Sequence, residues 1–253
     1  MTAQFRAHQR TDTGCREENQ DRILLLQKPD GIGGYILLAA VADGAGGFGE
    51  GAKASQALMT EVHRWFAQVS AEELLGPRGL LMNAVDTKLK EIHHLLLRKA
   101  EEENIRYGST LTMLLIAQEK HYLVAQVGDS RMYLYENAQV RKVTKDQTVA
   151  QKEKDLGRSI PCSSNKKSTL WQCFGSGDLS PKYYDGTLGD VAQILLCSDG
   201  QTNTLSMSEI REVLETEKTG EEKLDLLLRL ARNKLEQDNI SAILIEKTKR
   251  EEA

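Results

Sequence analysis

Aromatic residues are scarce, 5% of 253, so the core has to be built from Leu, Ile, Val and Ala. Long hydrophobic runs are missing. The stretch from Tyr35 to Ala42 is among the longest, far short of the ~20 residues a membrane span needs. The first residues, MTAQFRAHQRTDTG, are polar and hold no apolar segment, so a secretory leader is not expected. Cys15, Cys162, Cys173 and Cys197 form no C-x-x-C pair and no zinc spacing. Reduced thiols in a cytoplasmic protein are the expectation. The five histidines show no H-E-x-x-H, which argues against a His-built metal site. Lys and Arg are dispersed among acids, with a formal net charge of −4. No basic block marks a nucleic-acid surface. Without repeats, low-complexity tracts or a Pro/Ser-rich linker, residues 1–253 read as one domain. A monomer is the simplest expectation.

What is present is a series of short runs rich in Leu, Ile, Val and Tyr, bounded by Gly, Asp or Asn. They predict strands over 5–10, 22–28, 34–42, 110–117, 121–127, 131–136, 139–143, 191–197 and 240–246. The connections at Gly128-Asp129-Ser130 and Asn137-Ala138 are too short for helical crossovers, so the strands they join are expected to pair antiparallel. Apolar residues recur with helical spacing over 51–69 and about 80–103. A third helical element covers 208–215 and 221–236, interrupted at Thr219-Gly220. Helices thus follow groups of strands and do not alternate with them. The fold class expected is α+β with mostly antiparallel sheets. Residues 148–169 are polar and lysine-rich, without a clear period, and read as a surface loop or flap.

The placement of aspartates carries the functional signal. Asp43, Asp129 and Asp199 close predicted strands, while Asp21 and Asp238 stand just before others. In antiparallel pairing these ends and starts can meet at one sheet edge. A single Asp there is an ordinary turn former; five in this phase are harder to explain that way. Two carboxylates ~4 Å apart repel by about 4 kcal/mol at an effective dielectric of 20. Such a group takes up protons or binds cations. Oxygen-only ligation selects hard ions, Mg²⁺ or Mn²⁺.

Residues Gly44-Ala45-Gly46-Gly47-Phe48-Gly49 fit G-x-G-x-x-G between a strand and a helix, the pattern of a dinucleotide-binding turn. Two features oppose that reading. Asp43 would lie against the pyrophosphate, and a second helix follows where the motif requires a strand. The glycines otherwise allow backbone to approach a metal cluster closely.

Taken in order, six segments resemble the metal-dependent protein phosphatase family of type 2C. They are Arg16-Glu-Glu-Asn-Gln-Asp21, Val41-Ala-Asp-Gly-Ala-Gly-Gly47, Gly108-Ser-Thr110, Val127-Gly-Asp-Ser-Arg131 with Thr144-Lys-Asp146, Leu195-Leu-Cys-Ser-Asp-Gly200 and Asp238-Asn239. The resemblance spans about residues 10–246 and is closest to the family's bacterial branch. It implies a four-layer α-β-β-α sandwich. The activity it implies is hydrolysis of phosphoserine and phosphothreonine by direct attack of a water or hydroxide bridging two metals.

The resemblance also implies roles. Asp43 would bridge two Mn²⁺ or Mg²⁺ ions, with the Gly44 carbonyl on the second. Asp199 and Asp238 would complete the first site, and Asp21 would hold a metal-bound water. Asp129, with Asp199, would take part in a weaker third site. Arg16 would clamp the substrate phosphate. Phosphorylated proteins would be the substrates, and a cognate Ser/Thr kinase the functional partner. Three departures stand out. Ala45 occupies the place of a His general acid, Gln20 replaces a Glu, and Gln147-Thr148 follows Asp146 where Asp-His-Ser is usual. The alternatives are a regulatory pseudophosphatase that only binds partners, and a phosphatase of the same chemistry acting on small metabolites.

Overall fold

The computed structural model describes residues 4–45, 50–106, 108–118, 120–158 and 169–248. The first third contains β1 (Gln4–Asp12), β2 (Arg22–Pro29), β3 (Tyr35–Ala42), β4 (Gly44–Ala45), α1 (Glu50–Gln68), α2 (Ala71–Leu74) and α3 (Arg78–Glu103). Next come β5 (Gly108–Ser109), β6 (Leu111–Ala117), β7 (His121–Val127), β8 (Arg131–Glu136), β9 (Gln139–Lys142) and α4 (Val149–Asp155). The remainder forms β10 (Lys182–Thr187), β11 (Ala192–Cys197), α5 (Asp199–Thr202), α6 (Met207–Leu214), α7 (Gly220–Asn233) and β12 (Ile240–Thr248).

Alternation along β3 defines the layers. Ile36, Leu38, Ala40 and Ala42 pack into one apolar cluster with Leu58, Val62 and Phe66 of α1 and Leu89 and Ile92 of α3. Leu37, Ala39 and Val41 face the other way, onto Met132, Ile194, Leu196, Ile243 and Ile245. Successive strand side chains point to opposite faces, so a continuous apolar run is what a strand buried on both sides requires. On the far side, Leu195, Cys197 and Leu244 pack against Ile210, Val213, Leu224 and Leu227 of α6 and α7. Helices therefore cover both outer faces of a sandwich of two sheets. Truncating a fully buried residue such as Leu38 is expected to cost about 2–5 kcal/mol.

The first sheet has the order β1-β12-β11-β8-β9 and the second β10-β7-β6-β3-β2, with β4-β5 as a separate pair. All pairings within them are antiparallel. The α+β expectation holds, and no helix among the described residues is long and apolar enough to cross a membrane.

Several local expectations are corrected. Asn137 and Ala138 both take positive φ, 51° and 57°, and join β8 to β9 as an antiparallel hairpin, as anticipated. Gly128-Asp129-Ser130 does not: β7 lies in one sheet and β8 in the other. It is a corner between layers. The strand β10 is not among those expected from the sequence, because KYYDGT mixes polar and aromatic residues on a sheet edge. Within the 148–169 segment, Thr148 accepts from the Gln151 N–H and starts α4. Residues 159–168 of that segment lie outside the described part. The interruption of the third helical element is present: α6 ends at Leu214 and α7 starts at Gly220, where Thr219 and Glu222 exchange side chain-to-backbone bonds in a capping box.

Candidate active site

Strand register brings the five aspartates together. Arg22 pairs with Ala42, so Asp21 and Asp43 flank the same end of the β2–β3 pair. Cys197 pairs with Ala242, which sets Asp199 and Asp238 at the corresponding end of the β11–β12 pair. Asp129 stands on the corner joining the two layers. The expected single sheet edge is thus corrected to the mouth between two sheets. Hydroxyls stitch this mouth. Ser198 donates to Asp21 Oδ2 at 2.7 Å and accepts from the Ser241 N–H at 3.0 Å. Thr110 Oγ1 accepts from the Asp43 N–H at 2.9 Å and meets the Ser130 hydroxyl at 2.9 Å. Asn239 accepts from the Gln20 N–H at 2.8 Å and donates to the Thr13 and Glu18 carbonyls, fixing the segment between Arg16 and Asp21. Sequence reasoning gave these residues no role. The available signal was Ser130 beside Asp129, Ser198 beside Asp199 and Asn239 beside Asp238; for Thr110, far from Asp43 in the chain, there was none.

Charge is concentrated here. Burial and then Asp21, Asp199, Asp129 and Asp238 push the Asp43 carboxyl well above its usual range. Burial, opposed by the Ser198 hydrogen bond, pushes Asp21 up to about 6. Burial and then Asp199 and Asp146 push Asp129 up to about 7. Asp199 is raised by burial and then by Asp238, and hydrogen bonds with Asn203 and Asp43 partly relieve it. The mutual influence of these groups is the electrostatic mark of one shared basin.

Asp21 Oδ1 and Asp199 Oδ1 are both buried without a hydrogen-bond partner. A buried carboxylate oxygen left in this way is costly, and a hard cation satisfies it without needing a hydrogen. The donor set, all oxygen, fits Mg²⁺ or Mn²⁺. Among the described residues, no three His, Cys, Asp or Glu side chains yet form a ready ligand shell. Four carboxylate oxygens are engaged elsewhere: Ser198 holds Asp21 Oδ2, Asn203 Nδ2 donates to Asp199 Oδ2 at 3.3 Å, and Asp238 accepts from the Asn239 N–H and from Arg16 Nη2, both at 2.9 Å.

Arg16 lies at the rim, its side chain 58% exposed. Its guanidinium is stabilised first by Asp238, with Asp43 and Asp199 contributing from the basin. Gly44 packs on the first turn of α1: a Cβ there would stand 2.2 Å from the Gly51 carbonyl oxygen. This close approach is a reason for two of the glycines; Gly46, Gly47 and Gly49 lie outside the described residues. Ala45 pairs with Gly108 and is exposed.

A two-sheet sandwich with helices outside and a carboxylate basin at its mouth defines the class of phosphohydrolases that work through hard cations. The chain belongs to the protein phosphatase 2C family, whose model matches residues 8–237. It is 29% identical to the serine/threonine phosphatase stp of Listeria monocytogenes, over 98% of this chain and 96% of that protein. Among solved structures it resembles the serine/threonine phosphatase Stp1 of Staphylococcus aureus, at 26% identity and a TM-score of 0.85. That match covers 98% of this chain and 96% of that one. The S. agalactiae serine/threonine phosphatase superimposes with a TM-score of 0.87 over 96% of this chain and 99% of that one. At 23% identity it speaks for the fold.

Proposed function

We propose that this chain is a metal-dependent serine/threonine protein phosphatase, hydrolysing phosphoserine and phosphothreonine esters of proteins. The observation that carries the reading is the meeting of Asp21, Asp43, Asp129, Asp199 and Asp238 at one mouth, with two of their oxygens buried and unpartnered. Family membership and the stp and Stp1 relatives support it.

Asp43, Asp199 and Asp238 would hold Mn²⁺ or Mg²⁺, with the Gly44 carbonyl as a further oxygen and Asp21 acting through water. Two ions would sit in the core, and Asp129 with Asp199 would serve a weaker third. When bound, such cations lower the pKa of water and offset charge on phosphate oxygens. The protein's own groups do the rest. Arg16, standing at the rim with an unbranched reach over the basin, turns its fork from Asp238 to the oxygens of the phosphate. Ser198, Thr110 and Asn239 hold the aspartates so that little reorganisation accompanies the reaction. The water oxygen bonds to phosphorus, the ester P–O bond breaks, and the Ser or Thr oxygen leaves with a proton. Position 45 carries a methyl group, so that proton comes from solvent. The cellular counterpart is a Ser/Thr kinase that supplies the phosphorylated protein.

The test is hydrolysis of p-nitrophenyl phosphate and of a phosphothreonine peptide, with Mn²⁺ and with EDTA. Turnover of both substrates that requires the metal is expected, with a collapse in Asp43→Asn and Asp199→Asn. Folded, Mn²⁺-loaded protein that turns over neither substrate would leave the chain as a binding module.

A further inference from the structure

At the end of the second sheet away from the aspartates, the layer between sheet and helices does not close. It leaves a cavity of about 210 Å³, partly open to solvent. Ile36 of β3, Leu115 of β6 and Leu123 of β7 line its sheet side, and Leu74 and Leu75, at the end of α2, line its helix side. Ile36, Leu74, Leu115 and Leu123 are buried. Local hydrogen bonds hold the helix side in place. Ser70 and Glu73 cap α2 reciprocally, and the Leu75 and Leu81 N–H groups donate to the Ala71 and Pro77 carbonyls at 2.9 and 3.1 Å. The cavity is remote from the carboxylate basin. Ile36 stands near the start of β3 and Asp43 just past its end, roughly 23 Å away at about 3.3 Å per residue.

The charged side chains among the lining residues are Arg78, His121 and Asp185. Arg78 Nη2 donates to Asp185 Oδ1, and the two side chains are 67% and 27% exposed, which places them at the rim. That bond uses one of the five N–H groups of a guanidinium and one of the two oxygens of a carboxylate. The rim therefore offers a cationic donor and an anionic acceptor side by side. The start of α3 adds to the cationic side, with Pro77 as an N-cap that makes no side-chain bond and no acid in the first turn.

Size and charge together select a ligand. The cavity is larger than the ~150 Å³ that encloses a benzene and smaller than the ~300 Å³ at which sites for drug-sized molecules begin. Its apolar interior suits a group the size of a leucine or phenylalanine side chain. A rim of both signs suits a carboxylate and an ammonium held close together. A simple carboxylate would set its charge beside Asp185 without compensation, and a simple amine would do the same beside Arg78. We propose that this cavity binds a free apolar α-amino acid, with its side chain between Leu74 and the sheet, its carboxylate on Arg78 and its ammonium on Asp185.

Titration calorimetry of the full chain with L-leucine and L-phenylalanine tests this. Saturable binding of at least one is expected, equal in Mn²⁺ and in EDTA. Alanine should bind roughly sixtyfold more weakly than leucine, at about fourfold for each of three buried carbons. Leucinamide and 4-methylpentanoate each lack one charge and should lose about tenfold or more. Arg78→Met and Asp185→Asn should weaken leucine by a similar factor. Ala117 lines the cavity at the end of β6, so Ala117→Phe sets a ring in the space and should abolish binding, with the fold checked by circular dichroism. Neither amino acid binding, or binding undiminished in Ala117→Phe, overturns the proposal and leaves the phosphatase reading untouched. Leucinamide or 4-methylpentanoate binding as tightly as leucine overturns it as well, the first in favour of a peptide N-terminus. Binding that requires Mn²⁺ would put the amino acid in the carboxylate basin and overturn the proposal. Should a variant not fold, the ligand series on wild-type protein decides.

Discussion

The Ser198 hydroxyl donates to Asp21 Oδ2 at 2.7 Å, and the two residues come from different sheets. Ser198 follows β11 and Asp21 precedes β2, so the bond closes the sandwich at the mouth where the carboxylates meet. It engages one oxygen of Asp21 and leaves Oδ1 buried without a partner. Ser198→Ala removes this bond and the acceptor for the Ser241 N–H. A loss of about 1–3 kcal/mol in urea unfolding is expected, together with weaker Mn²⁺ binding. A variant as stable as wild type would show that the bond does not hold the sheets at this end.

Asp43→Asn is expected to act in opposite directions with and without metal. Burial and then four other aspartates raise the Asp43 carboxyl, so in EDTA the neutral amide relieves both the desolvation cost and the repulsion. Thermal scans in EDTA should place the variant above wild type, by about 2–4 °C for each kcal/mol relieved. In Mn²⁺ the order reverses, because the variant loses the stabilisation that ligand binding supplies. A lower midpoint than wild type in EDTA would contradict a repulsive basin.

Arg131 and Asp146 form a two-point ion pair with side chains 20% and 13% exposed. Breaking one side of such a pair leaves a mostly buried charge behind, at a cost of about 3–5 kcal/mol. Asp146→Asn, which orphans Arg131, is expected to be strongly destabilising, and Arg131→Met less so because Lys142 Nζ still reaches Asp146 Oδ1 at 3.1 Å. The double variant should cost less than their sum, because the orphaned charge is gone. A double-mutant cycle in urea measures the difference, and additive effects would rule out a coupled pair.

His93 supplies a pH dependence away from the carboxylates. Its Nδ1 accepts from the Gly175 N–H at 3.2 Å and its Nε2 lies 2.9 Å from the Gly177 carbonyl. Both nitrogens are satisfied only in the neutral ring with the proton on Nε2. Burial lowers its pKa, opposed by the Gly177 carbonyl. The unfolded chain therefore takes up the proton first as pH falls. Stability should decline below the unfolded histidine value of about 6.5 and level off below the folded one. His93→Gln should flatten that decline, and an unchanged slope in the variant would assign it to other groups.

Much of this architecture was legible in the residues. The apolar run at Tyr35–Ala42 demanded a strand covered on both faces. The stripe through Leu58, Val62 and Phe66 demanded a helix over it, and both occur in one cluster. The phase of the five aspartates against the strands was visible as well, because side-chain alternation and strand ends are local properties.

Tertiary packing decided the remainder. Gly128-Asp129-Ser130 has the composition of a hairpin turn, and only the layering of two sheets made it a corner. The pairing of β10 with β7 depends on an edge left open by the rest of its sheet. Arg16 with Asp238, Ser198 with Asp21 and Gln147 with Gly128 join residues 222, 177 and 19 positions apart. Turn chemistry and periodicity act over a few residues. Which distant groups become neighbours is set by burying both faces of each sheet at once.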